Sequence, residues 1–173
     1  MMPKLNRTAG EANHRSMGLL TGKLHELNQC MMIKGGTDKK IELRSYVDSG
    51  AARSVCGRTF GAQFGLEKTA SAARGDGFQT ATGKKVSSLG GRTIRGTTAS
   101  GEEVSMQYAV ADIAVALDSV SQICDSGATV TFTATGGRIE RSGQPTIEFP
   151  RVGDTYMRTV LVDKEPSFTR PGP

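Results

Sequence analysis

The chain has 173 residues, 36% of them hydrophobic, 5% aromatic and 23% charged, with a net charge of +5. That length and apolar content fit one compact domain with extensions and argue against wholesale disorder, and 22 glycines with no tryptophan favour a turn-rich, mainly β chain over a helix bundle. The positive surplus is local: residues 1–47 hold 8 Lys and Arg against 4 Asp and Glu, and residues 48–173 hold 14 against 13, which disfavours nucleic acid as a partner.

In chain order, residues 1–12 are polar. From His14 to Gln29, apolar residues at Met17, Leu20, Leu24 and Leu27 predict a helix weakened by Gly18 and Gly22. Residues 1–30 are thus expected to form a basic, helical N-terminal extension. Met31-Met32-Ile33, the turn signal GGTDKK and the alternating IELRSYV predict a hairpin whose second strand runs into Asp48-Ser49-Gly50. After a Gly/Ala-rich connection come strand-like FQTAT, KKVSSL, GRTIRGTT and VSMQYAVADI, with turns at Thr82-Gly83-Lys84, Gly90-Gly91 and Ala99-Ser100-Gly101. LDSVSQIC predicts a short helix with Asp118 or Ser119 near its N-cap. ATVTFTAT and RIER predict another hairpin, SGQPTIEFPRVGD reads as a loop, TYMRTVLV as a last strand and KEPSFTRPGP as a Pro-rich tail. Many short strands with one or two helices predict a small, mainly β domain that closes as a barrel.

Cys30, Cys56 and Cys124 are odd in number and widely spaced, with no CxxC, which argues against a zinc site and for a reducing compartment. No apolar run approaches the ~18 residues of a membrane span, and none resembles a secretory leader. A soluble, cytoplasmic protein without contact to membranes is expected. Arg74-Gly75-Asp76 and the phosphate-loop imitation GFQTATGKK, which has one residue too many between its glycines, are set aside.

Two stretches share Asp-Ser-Gly-Ala: VDSGAARSVC at Val47 to Cys56, and CDSGATVTF at Cys124 to Phe132. The first follows a strand. Val47 ends it, Asp48 carries an acid on a glycine turn, Ser49 can brace the turn, and Gly50 and Ala51 leave room for a second backbone. The second follows a helix, where Gly127 suits the left-handed position past a helix end and Asp125 and Ser126 read as terminating residues.

VDSGAARSV resembles the signature of the retropepsin family, the aspartic proteases of retroviruses and retrotransposons. The order of parts after it, over residues 31 to about 140, is similar as well: a connection, a flap-like hairpin in FQTATGKKVSSLG, a second hairpin, the helix LDSVSQIC and the strand ATVTF. ALDSVSQICDSGATVTF also resembles a Leu-Leu-Ser-Val-Ser-rich segment of retrotransposon polyproteins. The resemblance implies a small closed acid-protease barrel over residues 31–141, one short C-terminal helix, and a C-terminal strand and tail over 142–173. It implies Asp48, Ser49 and Gly50 as the catalytic motif and Ala51, Thr82 and Gly83 as substrate-binding residues, with neither metal nor organic cofactor. One departure stands out: Val115-Ala116-Leu117-Asp118 lies where the family carries an apolar-apolar-Gly triplet.

The two motifs are 77 residues apart (125 − 48), and 48 residues follow Asp125 (173 − 125), too few for a second lobe, since domains below ~60 residues are marginal. One productive motif per chain implies a C2 homodimer with Asp48 facing its copy on the axis. Two carboxylates ~3 Å apart share one proton and activate a water against an extended peptide. The expected function is an aspartic endopeptidase processing a retroelement polyprotein; the alternative is a catalytically silent module of the same fold that dimerises or binds peptides.

Overall fold

The computed structural model describes residues 39–80 and 83–165. The N-terminal extension over 1–30, the run Met31–Ile33, Thr82 and most of the Pro-rich tail lie outside the described residues.

Strand β1 (Lys40–Asp48) alternates strictly, with Leu43, Ser45 and Val47 buried and Glu42 and Arg44 exposed. The sequence suggested a slip before Val47; instead Ser45 is an inward member in phase, polar because it bonds a buried acid described below. The ladder of β1 is with the last strand, β10 (Thr155–Asp163), antiparallel from Lys40↔Asp163 to Tyr46↔Met157. First and last described strands are therefore neighbours.

After β1 come β2 (Val55–Cys56), a 3-10 turn over Ala62–Phe64, a short helix α1 (Ala70–Ala73) and β3 (Gly77–Gln79). β3 pairs antiparallel with β4 (Lys85–Thr97), forming the first expected hairpin. β4 is one continuous strand of 13 residues, so Gly90-Gly91 is not the turn the sequence suggested. It is a bulge: the register with β5 (Glu103–Ala111) shifts between Ser88 and Gly90. Gly90 has φ +150°, and Glu67 crosses so closely that a Cβ there would lie 2.5 Å from its carbonyl oxygen. Only glycine fits that approach.

LDSVSQIC divides into a strand β6 (Leu117–Ser119) and a helix α2 (Val120–Asp125). The helix starts later than its periodicity suggested because Leu117 to Ser119 pair with two other strands. Ser119 is the N-cap, accepting from the Gln122 amide. Helix α2 stops as expected, with Gly127 at φ +83° and its amide donating to Cys124 O at 2.9 Å. β7 (Thr129–Phe132) and β8 (Gly136–Glu140) form the expected hairpin. The segment read as a loop holds β9 (Ile147–Val152), antiparallel to β8. Pro150 disguises it, but β10 meets β9 at Val152 and Arg151 and not at Pro150, so no β10 ladder bond is lost there.

The protein is mainly β, with one large mixed sheet in the order β3-β4-β5-β2-β6-β1-β10-β9-β8-β7. Leu161 of β10 also pairs with Thr97 of β4, so six strands form a closed cycle of pairings. The principal core draws on β1, β4, β5 and β10, with Leu43, Ile94, Met106, Val110, Val160 and Val162 among its buried members. A second cluster of Val47, Ala128, Ile139 and Phe149 joins β7, β8 and β9 to the end of β1. Among the described residues no helix is long and apolar enough to cross a membrane.

Candidate active site

β6 lies between β1 and β2. It runs parallel to β1, with Tyr46↔Leu117, Val47↔Asp118 and Asp48↔Ser119, and antiparallel to β2 at Val55↔Leu117. β1 and β2 are joined by residues 49–54, so this loop straddles the end of β6. The short apolar β2 returns the chain to the core, where Val55 and Cys56 are buried.

Asp48 is the last residue of β1 and half-buried. Its Oδ1 accepts the Gly50 amide at 2.7 Å, which fixes the carboxylate against the turn. A Cβ on Gly50 would lie 3.3 Å from the same oxygen, so a side chain there would crowd the acid.

The bonds that hold the loop come from residues the sequence did not single out for this purpose. Ser119 Oγ donates to Ala51 O at 2.6 Å, and the Ser119 amide donates to Ser54 Oγ at 3.0 Å. The Ser54 amide donates to Gln122 Oε1 at 2.5 Å, and Ser54 O accepts the Ala109 amide at 3.0 Å. Ser49, expected to brace the turn, is exposed. The crossing strand carries no glycine; Ser119 is opposite Asp48 and fully buried, and its hydroxyl serves the loop and caps α2.

Beneath this layer, Asp118 is 1% exposed. Ser45 Oγ donates to its Oδ2 at 2.5 Å and the Tyr108 hydroxyl donates to its Oδ1 at 2.5 Å. Arg158 Nε lies 3.0 Å from Oδ2, in charge contact but without hydrogen-bond alignment. Burial, together with the negative charge of Asp118, pushes the Tyr108 phenol well above its ordinary pKa. Burial alone would favour a neutral Arg158, but the adjacent Asp118 outweighs it and holds the guanidinium above its ordinary value.

Above the loop lies a groove of about 940 Å³. Asp48, Gly50 and Ala51 line it beside Phe78, Gln79, Thr80 and Gly83 of the β3–β4 hairpin. Toward the end of the hairpin, Thr80 N donates to Lys84 O at 2.9 Å and Gly83 N donates to Thr80 O at 2.8 Å, with Gly83 at φ +81°. Val55, Val86, Ile113, Val115 and Leu117 add an apolar wall. Asp76 also lines the groove, but Arg74 Nη2 lies 2.7 Å from its Oδ2. Of the six residues expected to form the site, Asp48, Gly50, Ala51 and Gly83 share this groove, Ser49 lies at the exposed turn, and Thr82 is outside the described residues. Asp125 ends α2, exposed, and is not among the groove's lining residues.

Such an arrangement can hold an extended peptide between an acid-bearing turn and a hairpin roof. No protein-family model matches the chain, and no curated protein or solved structure matches it.

Proposed function

We propose that the chain is a retropepsin-like aspartic endopeptidase, a small closed barrel that works as a homodimer on an extended polyprotein segment in the cytoplasm. The observation that carries this reading is Asp48: a carboxylate ending a strand, held by the Gly50 amide at 2.7 Å, in a groove shared with a hairpin tip. The pairing cycle closed by Leu161↔Thr97 supports the barrel. Ser119 on the crossing strand supports an intact loop over a silent relic, because its hydroxyl adds a bond to Ala51 O. The free thiols of Cys56 and Cys124 are consistent with a reducing compartment.

Peptide hydrolysis by carboxylates needs one ionised group to take a proton from water and one protonated group to stabilise the developing oxyanion. Asp76, also in the groove, is held in an exposed ion pair with Arg74; with one productive Asp-Ser-Gly motif per chain, the second carboxyl is assigned to Asp48 of another copy. Like charges at contact distance cannot both ionise freely, so the pair holds one proton between them. The ionised member draws a proton from the bound water as its oxygen attacks the peptide carbonyl. The protonated member hydrogen-bonds the carbonyl oxygen, and proton transfer to the leaving nitrogen completes cleavage. The β3–β4 hairpin closes over the peptide, whose backbone adds as a strand. No step requires a metal or an organic cofactor.

Mixing wild type with excess Asp48→Asn protein tests the shared site. Mixed dimers have one carboxylate at the axis, so activity in a mildly acidic peptidase assay falls by more than the dilution of wild type. Activity that tracks wild-type concentration alone, with subunit exchange verified by sedimentation of labelled chains, places the whole site in one chain and rejects the proposal.

A further inference from the structure

Arg53 sits where two cavities meet. It lines the groove that holds Asp48 and also a smaller, polar hollow of about 240 Å³ alongside. The hollow is rich in hydroxyl and amide side chains, among them Thr69, Ser88, Thr93 and Gln107. Ser71 is the other residue common to both.

Of the charges around this junction, Arg92 and Asp76 are committed to partners, whereas Glu67 and Arg53 make no ion pair among the described residues. Arg92, buried in the hollow's wall, spends its guanidinium on the carbonyls of Gly65, Arg58 and Phe60 at 2.5–3.0 Å. Asp76 in the groove is paired with Arg74. Glu67 lines the hollow but not the groove. Arg53 is exposed and makes no ion pair among the described residues.

Its backbone, in contrast, is fixed on both sides. Two residues before it, Ala51 O accepts from Ser119 Oγ; directly after it, the amide, carbonyl and hydroxyl of Ser54 are all bonded. The backbone that carries Arg53, five residues after Asp48, is thus anchored, and its exposed side chain lies where the two cavities meet.

We infer that Arg53 is a specificity-determining residue, which selects extended peptides carrying an acidic side chain a fixed number of residues from the scissile bond. The apolar wall of Val55, Val86, Ile113 and Leu117 receives an apolar neighbour, and Arg53 at the junction receives the carboxylate, with the hollow's polar side chains beside it. This inference rests on the proposed peptide-binding groove. Since Arg53 is solvent-exposed, the discrimination of Glu over Gln is modest, about fivefold or less, and it weakens with salt.

The test has two arms, one for cleavage and one for binding. In the first, wild type, Arg53→Ala and Arg53→Glu digest a denatured proteome peptide mixture, and cut sites are read by mass spectrometry. Acidic residues should be enriched at one position flanking the cut for wild type, lose that enrichment with Arg53→Ala, and give way to Lys and Arg with Arg53→Glu. Cleavage by wild type without acidic enrichment, or with enrichment unchanged in Arg53→Glu, overturns the inference and leaves the endopeptidase reading standing. In the second arm, a fluorescent acidic peptide and its Gln and Lys analogues are titrated onto Asp48→Asn protein and onto Asp48→Asn/Arg53→Glu protein. If wild type cuts nothing, the endopeptidase reading fails, but salt-sensitive binding of the acidic peptide, reversed by Arg53→Glu, still upholds the role of Arg53. Equal binding of all three peptides, or no binding, overturns it.

Discussion

Asp118 and Arg158 form a buried ion pair, Nε to Oδ2 at 3.0 Å, with both side chains less than a tenth exposed. Their contact joins β6 to β10, and through Ser45 and Tyr108 it also reaches β1 and β5. Replacing Asp118 by Asn or Ala leaves a guanidinium buried without a counter-charge. The expected loss is roughly 3–5 kcal/mol of stability in urea unfolding. The double substitution Asp118→Leu/Arg158→Met removes both charges and should recover much of that loss. Equal unfolding midpoints for wild type and Asp118→Asn would show that the pair contributes nothing.

The two Asp-Ser-Gly motifs make opposite predictions. Asp48→Asn should lower cleavage by roughly 10²–10⁴-fold while the protein keeps its sedimentation coefficient and thermal midpoint. Asp125→Asn, at the exposed end of α2, should leave both cleavage and stability near wild type. Equal loss of activity with Asp125→Asn would remove the assignment of Asp48 to a symmetric pair.

Ser119→Ala tests the loop brace. The substitution removes the bond to Ala51 O and the cap of α2, together costing about 1–2 kcal/mol. Hydrogen exchange should quicken locally, with the Ser54 and Gly50 amides losing protection ahead of the β4–β5 ladder. Uniform loss of protection would mean that Ser119 supports the fold as a whole and not the loop.

Gly96 lies where β10 crosses β4. A Cβ on Gly96 would stand 2.7 Å from Val160 Cγ1 and meet the Leu161 carbonyl more closely still. Gly96→Ala should therefore lower stability by about 1–3 kcal/mol through overpacking, measured by thermal unfolding. A variant as stable as wild type would show that the two strands part there at little cost.

Cys56 gives a pH dependence. Burial pushes its thiol up to about 11, although Arg92 partly opposes the shift. Between its ordinary value near 9.0 and about 11, the unfolded chain loses the proton while the folded chain keeps it. Fewer protons on the unfolded state means stability falls as pH rises through that window. Cys56→Ala should show a shallower decline than wild type between pH 9 and 11 in urea titrations. Parallel declines would assign the alkaline sensitivity to other groups.

Much of this architecture was legible in the residues. Alternation drew β1 up to Asp48, turn chemistry gave the β3–β4 hairpin, and Gly127 marked the end of α2. What escaped has a common cause: pairing with distant strands overrode local pattern. Leu117 to Ser119 have helical spacing, yet β1 and β2 on either side draw them into a strand. Gly90-Gly91 has the composition of a turn, but Glu67 crossing over it makes it a bulge. The buried pair left one sign. Arg158 shares the phase of Val160 and Val162 on β10, as Ser45 shares that of Leu43 and Val47 on β1. Polar residues in phase with an inward apolar row point to a partner inside, although which residue answers them, 40 positions away in the case of Asp118 (158 − 118), is a property of the fold.

The threading of β6 between β1 and β2 imposes an order in time. The loop after Asp48 lacks its anchor until Ser119 arrives, and β1 lacks its antiparallel partner until Asp163 has been synthesised. Contacts so far apart in sequence form slowly. A chain emerging from the ribosome thus carries the acid long before it has a rigid seat for it, and assembly of the groove is deferred until nearly all the described residues are present.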